Sequence, residues 1–324
     1  MNFEAIFNGF NSKKALIIGD AMIDAYMWGE INRMSPEAPV PVVEVKKHEN
    51  RLGGAANVAL NLQALGANPI LCSVIGDDNQ GRIFKKLMNE ANLTTEGILN
   101  SIKRRTTLKT RVIAENKHQV RIDEEDTHPI NIETEFLKLV KKLISDTDVV
   151  ILQDYNKGVL TSKIITEVIK IANTKNIPTI VDPKKKNFSF YKNCTIFKPN
   201  LYEIKAGMNI AFNADNTNEI EKASKELREF LNAKAVLLTL SSRGICINNK
   251  QNFKHTPAFK RDIIDVSGAG DTVISVASLC LASNINFTIL SILSSLAGGI
   301  VCEEAGVIPI NKEKLLIEAK KYIS

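Results

Sequence analysis

The sequence predicts an α/β fold, with a doubly wound, mostly parallel sheet, helices on both faces and a small β-sheet attached as a lid. Three observations predict it. Short runs that are apolar throughout alternate with segments of helical periodicity, which indicates parallel strands covered on both faces. Two further segments break this rhythm. The length of 324 residues suits one large domain, and we assign 1–324 to it.

The predicted elements follow one another along the chain. Aliphatic runs predict strands at 15–19, 70–75, 149–153, 179–181, 195–197 and 236–240. Apolar residues repeating every three or four positions predict helices at 55–65, 80–90, 162–173, 219–231, 269–282, 287–303 and 312–323. Polar residues follow several of the strands, namely Asp20, Asp154, Asp182, Asn200 and Ser241. Ligands of such a sheet bind beyond the carboxyl ends of its strands, so these residues mark the expected site.

The lid is predicted from the two segments that break the rhythm. Residues 39–45 are held extended by prolines, and residues 107–114 and 119–122 alternate around a turn at 115–117, which indicates a hairpin. We place the lid at about 30–50 and 103–123. One face of its hairpin is apolar, with Leu108, Val112, Ala114, Val120 and Ile122. Because that face needs cover, we expect a homodimer through the lid.

Composition narrows the classes of protein. The 42 basic residues are mixed with 36 acidic ones, for a net charge of +6, and the densest basic run lacks interleaved aromatic residues, so we expect no nucleic-acid partner. The longest apolar stretch is broken by serines and glycines, so we expect no membrane span. Five scattered cysteines without a CxxC pair predict reduced core residues of a cytoplasmic protein and no zinc site.

The stretch Gly268, Ala269, Gly270, Asp271 is the most informative motif. It precedes an apolar helix, so its backbone N–H groups form a cradle for anionic oxygens at a positive helix end. Asp271 beside that cradle is placed to accept a proton from a hydroxyl that attacks a phosphate. Two alternatives exist. Asp271 can be a helix cap, and the glycines can belong to a dinucleotide fingerprint, although Val273 occupies its third glycine position.

Three other segments carry polar groups at element ends. Asp20 and Asp24 lie close together after the first strand, where carboxylates suit adjacent sugar hydroxyls. Residues 53–57, Gly-Gly-Ala-Ala-Asn, precede a helix, and Asn57 can also simply bond its own turn. Asn200 and Glu203 lie three residues apart and can hold the water ligands of Mg²⁺ from one turn to the next, or they can form an N-terminal capping box.

In combination, these motifs resemble the PfkB, or ribokinase-like, family of carbohydrate kinases along essentially the whole chain. The resemblance implies ATP and Mg²⁺ as cofactors. It implies that the loop Gly268, Ala269 and Gly270 is the anion hole and Asp271 the catalytic base. It assigns the sugar to Asp20, Asp24, Gly53, Gly54, Asn57 and Asp154. It assigns the nucleotide to Lys184, Asn200, Glu203, Thr239, Ser241 and Gly244, with Asn200 and Glu203 at the metal.

A narrower resemblance lies in residues 35–42, 154–158 and 181–184, which are similar to the kinase module of D-glycero-β-D-manno-heptose 7-phosphate kinases. It implies transfer of the ATP γ-phosphate to the anomeric 1-hydroxyl of this heptose in ADP-heptose and lipopolysaccharide core synthesis. The substrate's own phosphate needs cations, for which the candidates are Lys109, Arg111, Arg121 and Lys157. No HxGH motif is found, so we expect a separate nucleotidyltransferase.

Two other functions remain open on the sequence. A kinase of an unphosphorylated sugar, similar to ribokinase or fructokinase, would give the basic residues of the hairpin no reason to converge. A non-catalytic sugar- or nucleotide-binding regulator would need no base at Asp271.

Overall fold

The secondary structure comes from a computed structural model that describes residues 2–115 and 117–323. Asn116, in the predicted turn of the lid hairpin, lies outside the described residues. In chain order the elements are α1 (Phe3–Gly9), β1 (Lys14–Gly19), β2 (Ala21–Met34), β3 (Pro41–Gly54), α2 (Ala55–Ala64), β4 (Asn68–Gly76), α3 (Asn79–Glu90), β5 (Ile98–Ser101), β6 (Thr107–Ala114), β7 (Lys117–Glu124), α4 (Glu133–Leu143), β8 (Val149–Gln153), α5 (Ser162–Thr174), β9 (Thr179–Asp182), β10 (Ile196–Phe197), α6 (Leu201–Met208), α7 (Thr217–Leu231), β11 (Ala235–Thr239), β12 (Ile245–Asn249), β13 (Phe253–Thr256), α8 (Ala269–Ala282), α9 (Phe287–Val301) and α10 (Lys312–Tyr322).

The large sheet has nine strands in the order β13-β12-β11-β10-β9-β8-β1-β4-β5. All neighbours from β11 to β5 are parallel, and β12 and β13 form an antiparallel edge. The chain builds outward from β1 in both directions, which confirms the doubly wound, mostly parallel sheet. The strand order reverses between β1 and its two neighbours, so a crevice is expected beyond the carboxyl end of β1.

Apolar side chains fill both faces of this sheet. On β1, Ala15 and Ile17 join the hydrophobic cluster on the face covered by α2, α8 and α9. Leu16 and Ile18 alternate with them and join the cluster on the opposite face, which α5 and α7 cover. The strands therefore read as apolar throughout because both of their faces are buried.

The lid is a second sheet of four strands in the order β3-β2-β6-β7. Its first strand begins at Ala21, directly after β1, so the lid spans 21–54 and 107–124 where the sequence predicted 30–50 and 103–123. The first six residues of β2 are all buried, so they lack the alternation that marks a strand with one exposed face. The sequence pattern therefore misses the start of the lid.

The apolar face of the lid hairpin is only partly covered within one chain. Leu108, Val112 and Ala114 of β6 are buried. On the edge strand β7, Val120 and Ile122 keep 51% and 48% of their surface exposed. The sequence predicted one continuous apolar face that needs cover, and the structure confines that need to β7.

Candidate active site

Polar side chains collect where the parallel strands end. Asp20 follows β1, Asp154 follows β8, Asp182 ends β9 and Lys198 follows β10, and these four strands are neighbours in the sheet. All four side chains are buried. Burying charged groups is costly unless they are paired, so this edge of the sheet is a built polar site.

The N-terminus of α8 opens onto this edge. Gly268 caps the helix with φ +80°, a conformation that favours glycine, and Gly270 is exposed. The first N–H groups of a helix have no partner inside the helix and attract anions. Among the described residues, the atoms nearest to a Cβ added at Gly270 are Asp182 Oδ2 at 3.9 Å and Lys198 Nζ at 4.0 Å. Packing within the protein therefore leaves room for a side chain at Gly270, and the glycine at this position does not fill that room.

Asp271 is buried directly behind this opening. Its Oδ2 accepts a hydrogen bond from Asn57 Nδ2 at 2.8 Å, and its Oδ1 accepts from Gln153 Nε2 at 3.0 Å and from Tyr155 OH at 2.6 Å. Burial raises the pKa of the carboxyl to about 6, against the opposing effect of the bond from Tyr155. The carboxylate is bonded to side chains of other elements, so the alternative of a helix cap is wrong.

The glycines before α2 let two elements approach closely. A Cβ at Gly53 would lie 2.2 Å from Asp24 Oδ2, and Gly54 has φ +60°. They place Asn57 in the first turn of α2, facing Asp271. The alternative in which Asn57 only bonds its own turn is therefore wrong. Contacts of Gly53, Gly54 and Asn57 with a sugar stay a prediction.

Asp20 and Asp154 hold the loop that follows β8. Asp20 accepts three backbone bonds, from the N–H groups of Tyr155 at 2.9 Å, Lys157 at 3.0 Å and Val159 at 3.0 Å. Asp154 accepts from Tyr191 OH at 2.7 Å, from Asn187 Nδ2 at 3.0 Å and from a backbone N–H, and burial together with the charge of Asp20 raises its pKa to about 6. Both carboxylates thus position the loop, and direct sugar contacts by them stay a prediction.

Asp24 forms an ion pair with Arg111 inside the lid. The sequence suggested that Asp24 lies just past the end of the first strand, but the structure places it within β2. Two guanidinium groups approach the ring of Tyr26, with Arg51 at 4.8 Å and Arg111 at 5.5 Å from its centroid. Arg51 is a basic residue of this surface that the sequence analysis missed.

The other three predicted cations are linked through two shared carboxylates. Lys157 Nζ lies 2.5 Å from Glu125 Oε1, and Lys109 Nζ lies 3.3 Å from the other oxygen of the same carboxylate. Arg121 is 59% exposed on the edge strand, where it pairs with Asp123 at 2.9 Å, and Lys109 Nζ lies 3.2 Å from the same carboxylate. We call Lys109, Glu125 and Lys157 the lysine pair site. Its acidic member was not predicted, because a glutamate beside a hairpin resembles an ordinary surface charge.

Asn200 and Glu203 form the capping box that the sequence left as an alternative. Glu203 N donates to Asn200 Oδ1 at 2.8 Å, and Asn200 N donates to Glu203 Oε2 at 2.9 Å. The remaining oxygen of Glu203 pairs with Lys184. Within residues 2–115 and 117–323 there is no cluster of three or more His, Cys, Asp or Glu residues that could hold a metal ion. Mg²⁺ would therefore depend on water and on the phosphates of its nucleotide, as it commonly does.

The predicted nucleotide loop follows β11. Thr239 forms a parallel bridge with Asn200, which brings this loop beside the capping box. Gly244 has φ +93°, and a Cβ there would lie 2.1 Å from the carbonyl oxygen of Thr256, so the turn requires glycine. Ser241 also has a positive φ, of +56°. The structure thus brings Lys184, Asn200, Glu203 and Thr239 to one side of the site.

Several site residues were missed at the level of sequence. Gln153 and Tyr155 bond Asp271, and Lys198 pairs with Asp182 at 3.1 Å. Their signal is weak, because each is one polar residue beside an apolar strand.

In the part of the chain that the structure describes, no helix is long and apolar enough to cross a membrane. All five cysteines are free and buried, as predicted.

Comparisons with known proteins agree with this geometry. The profile of the pfkB family carbohydrate kinases matches residues 12–314. The bifunctional protein HldE of Helicobacter pylori (strain G27) is 38% identical over 296 residues, which are 91% of this chain and 64% of the relative. That of Campylobacter jejuni (strain RM1221) is 38% identical over 302 residues, 93% of this chain and 64% of the relative. The chain thus spans about 64% of the length of these relatives.

Solved structures show the fold independently. Phosphofructokinase-2 from Escherichia coli in complex with potassium superposes with a TM-score of 0.79 at 19% identity, over 94% of this chain and 96% of that one. Arabidopsis thaliana ribokinase complexed with ribose and ATP superposes with a TM-score of 0.73 at 16% identity, over 94% and 99%. These likenesses show a ribokinase-like fold.

Proposed function

Because the chain belongs to the pfkB family of carbohydrate kinases, we propose that this phosphotransferase moves the γ-phosphate of ATP to the anomeric 1-hydroxyl of D-glycero-β-D-manno-heptose 7-phosphate. The product would be the 1,7-bisphosphate, a step toward ADP-heptose for the lipopolysaccharide core. One observation carries the chemistry: buried Asp271 lies directly behind the open N-terminus of α8. The relatives named HldE and the lysine pair site support the sugar phosphate.

The residues of the site suit each part of the transfer. Asp271 takes the proton of the attacking hydroxyl, and its bonds from Asn57, Gln153 and Tyr155 hold it in place. The N–H groups at the start of α8 stabilise the charge of the phosphoryl group. Bound Mg²⁺ would neutralise charge on the ATP phosphates. Glu203 has both oxygens engaged, so it and Asn200 fit contact with this ion through water.

The sugar is tested with a panel of substrates. We expect turnover of the heptose 7-phosphate to exceed that of free ribose, fructose and unphosphorylated heptose, because the lysine pair site gives the distal phosphate two cations. Initial rates at matched concentrations measure this. Better turnover of a free sugar would favour the second candidate, a kinase of an unphosphorylated sugar. Glu125 and Asp123 support that alternative, since Glu125 already pairs with both lysines and Asp123 with Lys109.

A variant of Lys157 isolates the contribution of the distal phosphate. Lys157→Ala should raise KM for the sugar phosphate about tenfold to a hundredfold, because charged hydrogen bonds contribute about 1.5–3 kcal/mol. The KM of an unphosphorylated sugar should not change. Lys250→Ala, in the exposed turn between β12 and β13, is the control. An equal rise of KM for both sugars would contradict a phosphate contact.

Two variants of Glu203 separate metal binding from helix capping. Gln can still complete a capping box, so Glu203→Gln should keep the melting temperature while removing the charge. We expect it to raise the Mg²⁺ concentration for half-maximal rate about tenfold, the usual scale for a partner of a metal ligand. Glu203→Ala should also lower the melting temperature. An unchanged Mg²⁺ dependence in the Gln variant would leave Glu203 with a capping role only.

The lid supports a homodimer. Val120 and Ile122 stay about half exposed on β7, which has no further strand beside it among the described residues and so presents its backbone edge to a second copy. We expect a dimer in sedimentation velocity at micromolar concentration, and a monomer after Val120→Lys with Ile122→Lys. A monomeric wild type would contradict this interface.

The relatives are named bifunctional, so the nucleotidyltransferase step need not lie on a separate protein.

A further inference from the structure

Lys198 is a buried cation at the edge of the site. It follows the two-residue strand β10, whose short ladder ends with the bond from Lys198 N to the carbonyl oxygen of Val181 at 2.8 Å. Its side chain is only 3% exposed, and its ammonium lies 3.1 Å from Asp182 Oδ2. A buried ion pair of this kind stabilises a fold little, because desolvating both charges offsets their attraction. Stability alone therefore does not explain the pair.

The same ammonium lies beside the opening at α8. It is 4.0 Å from the point where a side chain of Gly270 would begin. Gly270 has an ordinary helical φ and room for a Cβ, and glycine in a helix costs stability relative to alanine. A ligand that occupies the space next to Gly270 accounts for the glycine, and that ligand would meet both the helix N-terminus and Lys198.

A chain of hydrogen bonds links Lys198 to Asp271. Gln153 Nε2 donates to Asp182 Oδ2 at 3.2 Å and to Asp271 Oδ1 at 3.0 Å. The other amide atom, Gln153 Oε1, is buried and has no hydrogen-bond partner among the residues that the structure describes. Lys198, Asp182 and Gln153, at the ends of β10, β9 and β8, thus form one continuous row of polar contacts that ends at Asp271 in α8.

We propose that Lys198 is a further catalytic residue whose ammonium binds the phosphoryl group during transfer. As the sugar oxygen bonds to the γ-phosphorus and the bond from phosphorus to the ADP oxygen breaks, Asp271 receives the hydroxyl proton. Lys198 keeps its own protons and acts by charge alone, as a compact ammonium does at phosphates. The proposal rests on the proposed anion hole at α8 and not on the identity of the sugar.

The primary test is Lys198→Met, assayed with whichever sugar of the panel the wild type phosphorylates fastest. Turnover should fall about 10²–10³-fold with little change in the KM of the sugar, the scale of losing one preorganised charge contact. Calorimetry without sugar should show MgATP binding weakened about tenfold and MgADP binding unchanged, because only ATP carries the γ-phosphate. Normal turnover, or equal weakening for ATP and ADP, would overturn the proposal.

A paired variant excludes a merely structural role. Lys198→Met leaves the Asp182 carboxylate buried without its cation, so Lys198→Met with Asp182→Asn should regain the melting temperature. A structural pair would regain turnover too, whereas a catalytic Lys198 leaves turnover low. Asp182→Asn alone measures how much of the loss in the double variant comes from Asp182, and a loss as large as that of Lys198→Met would contradict the proposal. Asp271→Asn serves as reference: if it stays active, the site at α8 is wrong, whereas loss there with an active Lys198→Met rejects Lys198 alone.

Discussion

Replacing Asp271 with Asn should lower kcat about 10²–10⁴-fold while the affinity for MgATP changes little. The substitution keeps the size of the side chain and removes the charge that accepts the proton in the proposed reaction. A loose transition state asks little of a base, but the proton of the hydroxyl must still leave. The three donors around Asp271 come from α2, β8 and the loop after β8, so the surrounding site should stay in place.

Steady-state rates and calorimetry of MgATP binding measure this result. Asp262→Asn is the matched control, since Asp262 is an exposed carboxylate nine residues earlier. It should leave both kcat and nucleotide affinity unchanged. Turnover near that of the wild type in Asp271→Asn would remove the residue from the role of base.

The pH profile gives a second measure of the same carboxyl. A base must be ionised, and burial raises the pKa of Asp271 to about 6. We therefore expect kcat/KM to be constant above that pH and to fall about tenfold per unit below it. Asp154 has a pKa of about 6 as well, so the profile alone does not identify the group. The residual activity of Asp271→Asn should lack this acidic limb if Asp271 causes it.

Replacing Gly270 with Ala should lower kcat by about two orders of magnitude or more without lowering the melting temperature. A methyl group there meets no described atom closer than 3.9 Å, so the folded protein accepts it, and the helix gains up to about 1 kcal/mol. In the proposed site, the same methyl group would occupy the space through which the phosphoryl group approaches the N–H groups of α8. A misplacement of about 1 Å in such a site can cost about a hundredfold in rate.

Gly9→Ala is the matched control for this experiment. Gly9 ends α1, and a Cβ added there meets nothing within 4 Å among the described residues. Both variants should melt at or above the temperature of the wild type in calorimetry, and only Gly270→Ala should lose turnover. Full activity of Gly270→Ala would show that the phosphoryl group binds elsewhere.

The sequence predicted the strands whose residues all have the same environment. Strands buried on both faces are apolar throughout, so β1, β4, β8 and β11 were identified from their composition. The edge strands β12 and β13 were missed because they carry polar residues such as Asn248, Asn249 and Lys254. The start of the lid was missed for the opposite reason, since Ala21 to Tyr26 is buried and reads as a continuation of the core.

The residues of the candidate site likewise fall into those that the sequence identified and those that it missed. Gly268 to Asp271 and Asn57 were identified because small residues and one polar group at a helix start form a recognisable pattern. Gln153, Tyr155 and Lys198 gain their importance only when parallel pairing brings the ends of β8, β9 and β10 side by side. No local pattern carries that information. The partner of the lysine pair site, Glu125, likewise depends on a contact between the lid and the loop after β8.

The hydrogen bonds that Asp20 accepts from the loop after β8 hold two parts of the candidate site at a set distance from each other. They fix the backbone at Tyr155, which touches the base, and at Lys157, the candidate for the distal phosphate. A substrate held at both points must match the span between them. If Lys157 binds the distal phosphate and Asp271 is the base, a sugar phosphate one carbon shorter would be short by about 1.5 Å, roughly one C–C bond, and its hydroxyl would not reach Asp271. The buried carboxylate of Asp20 would thus help the enzyme to select its substrate by the length of the carbon chain.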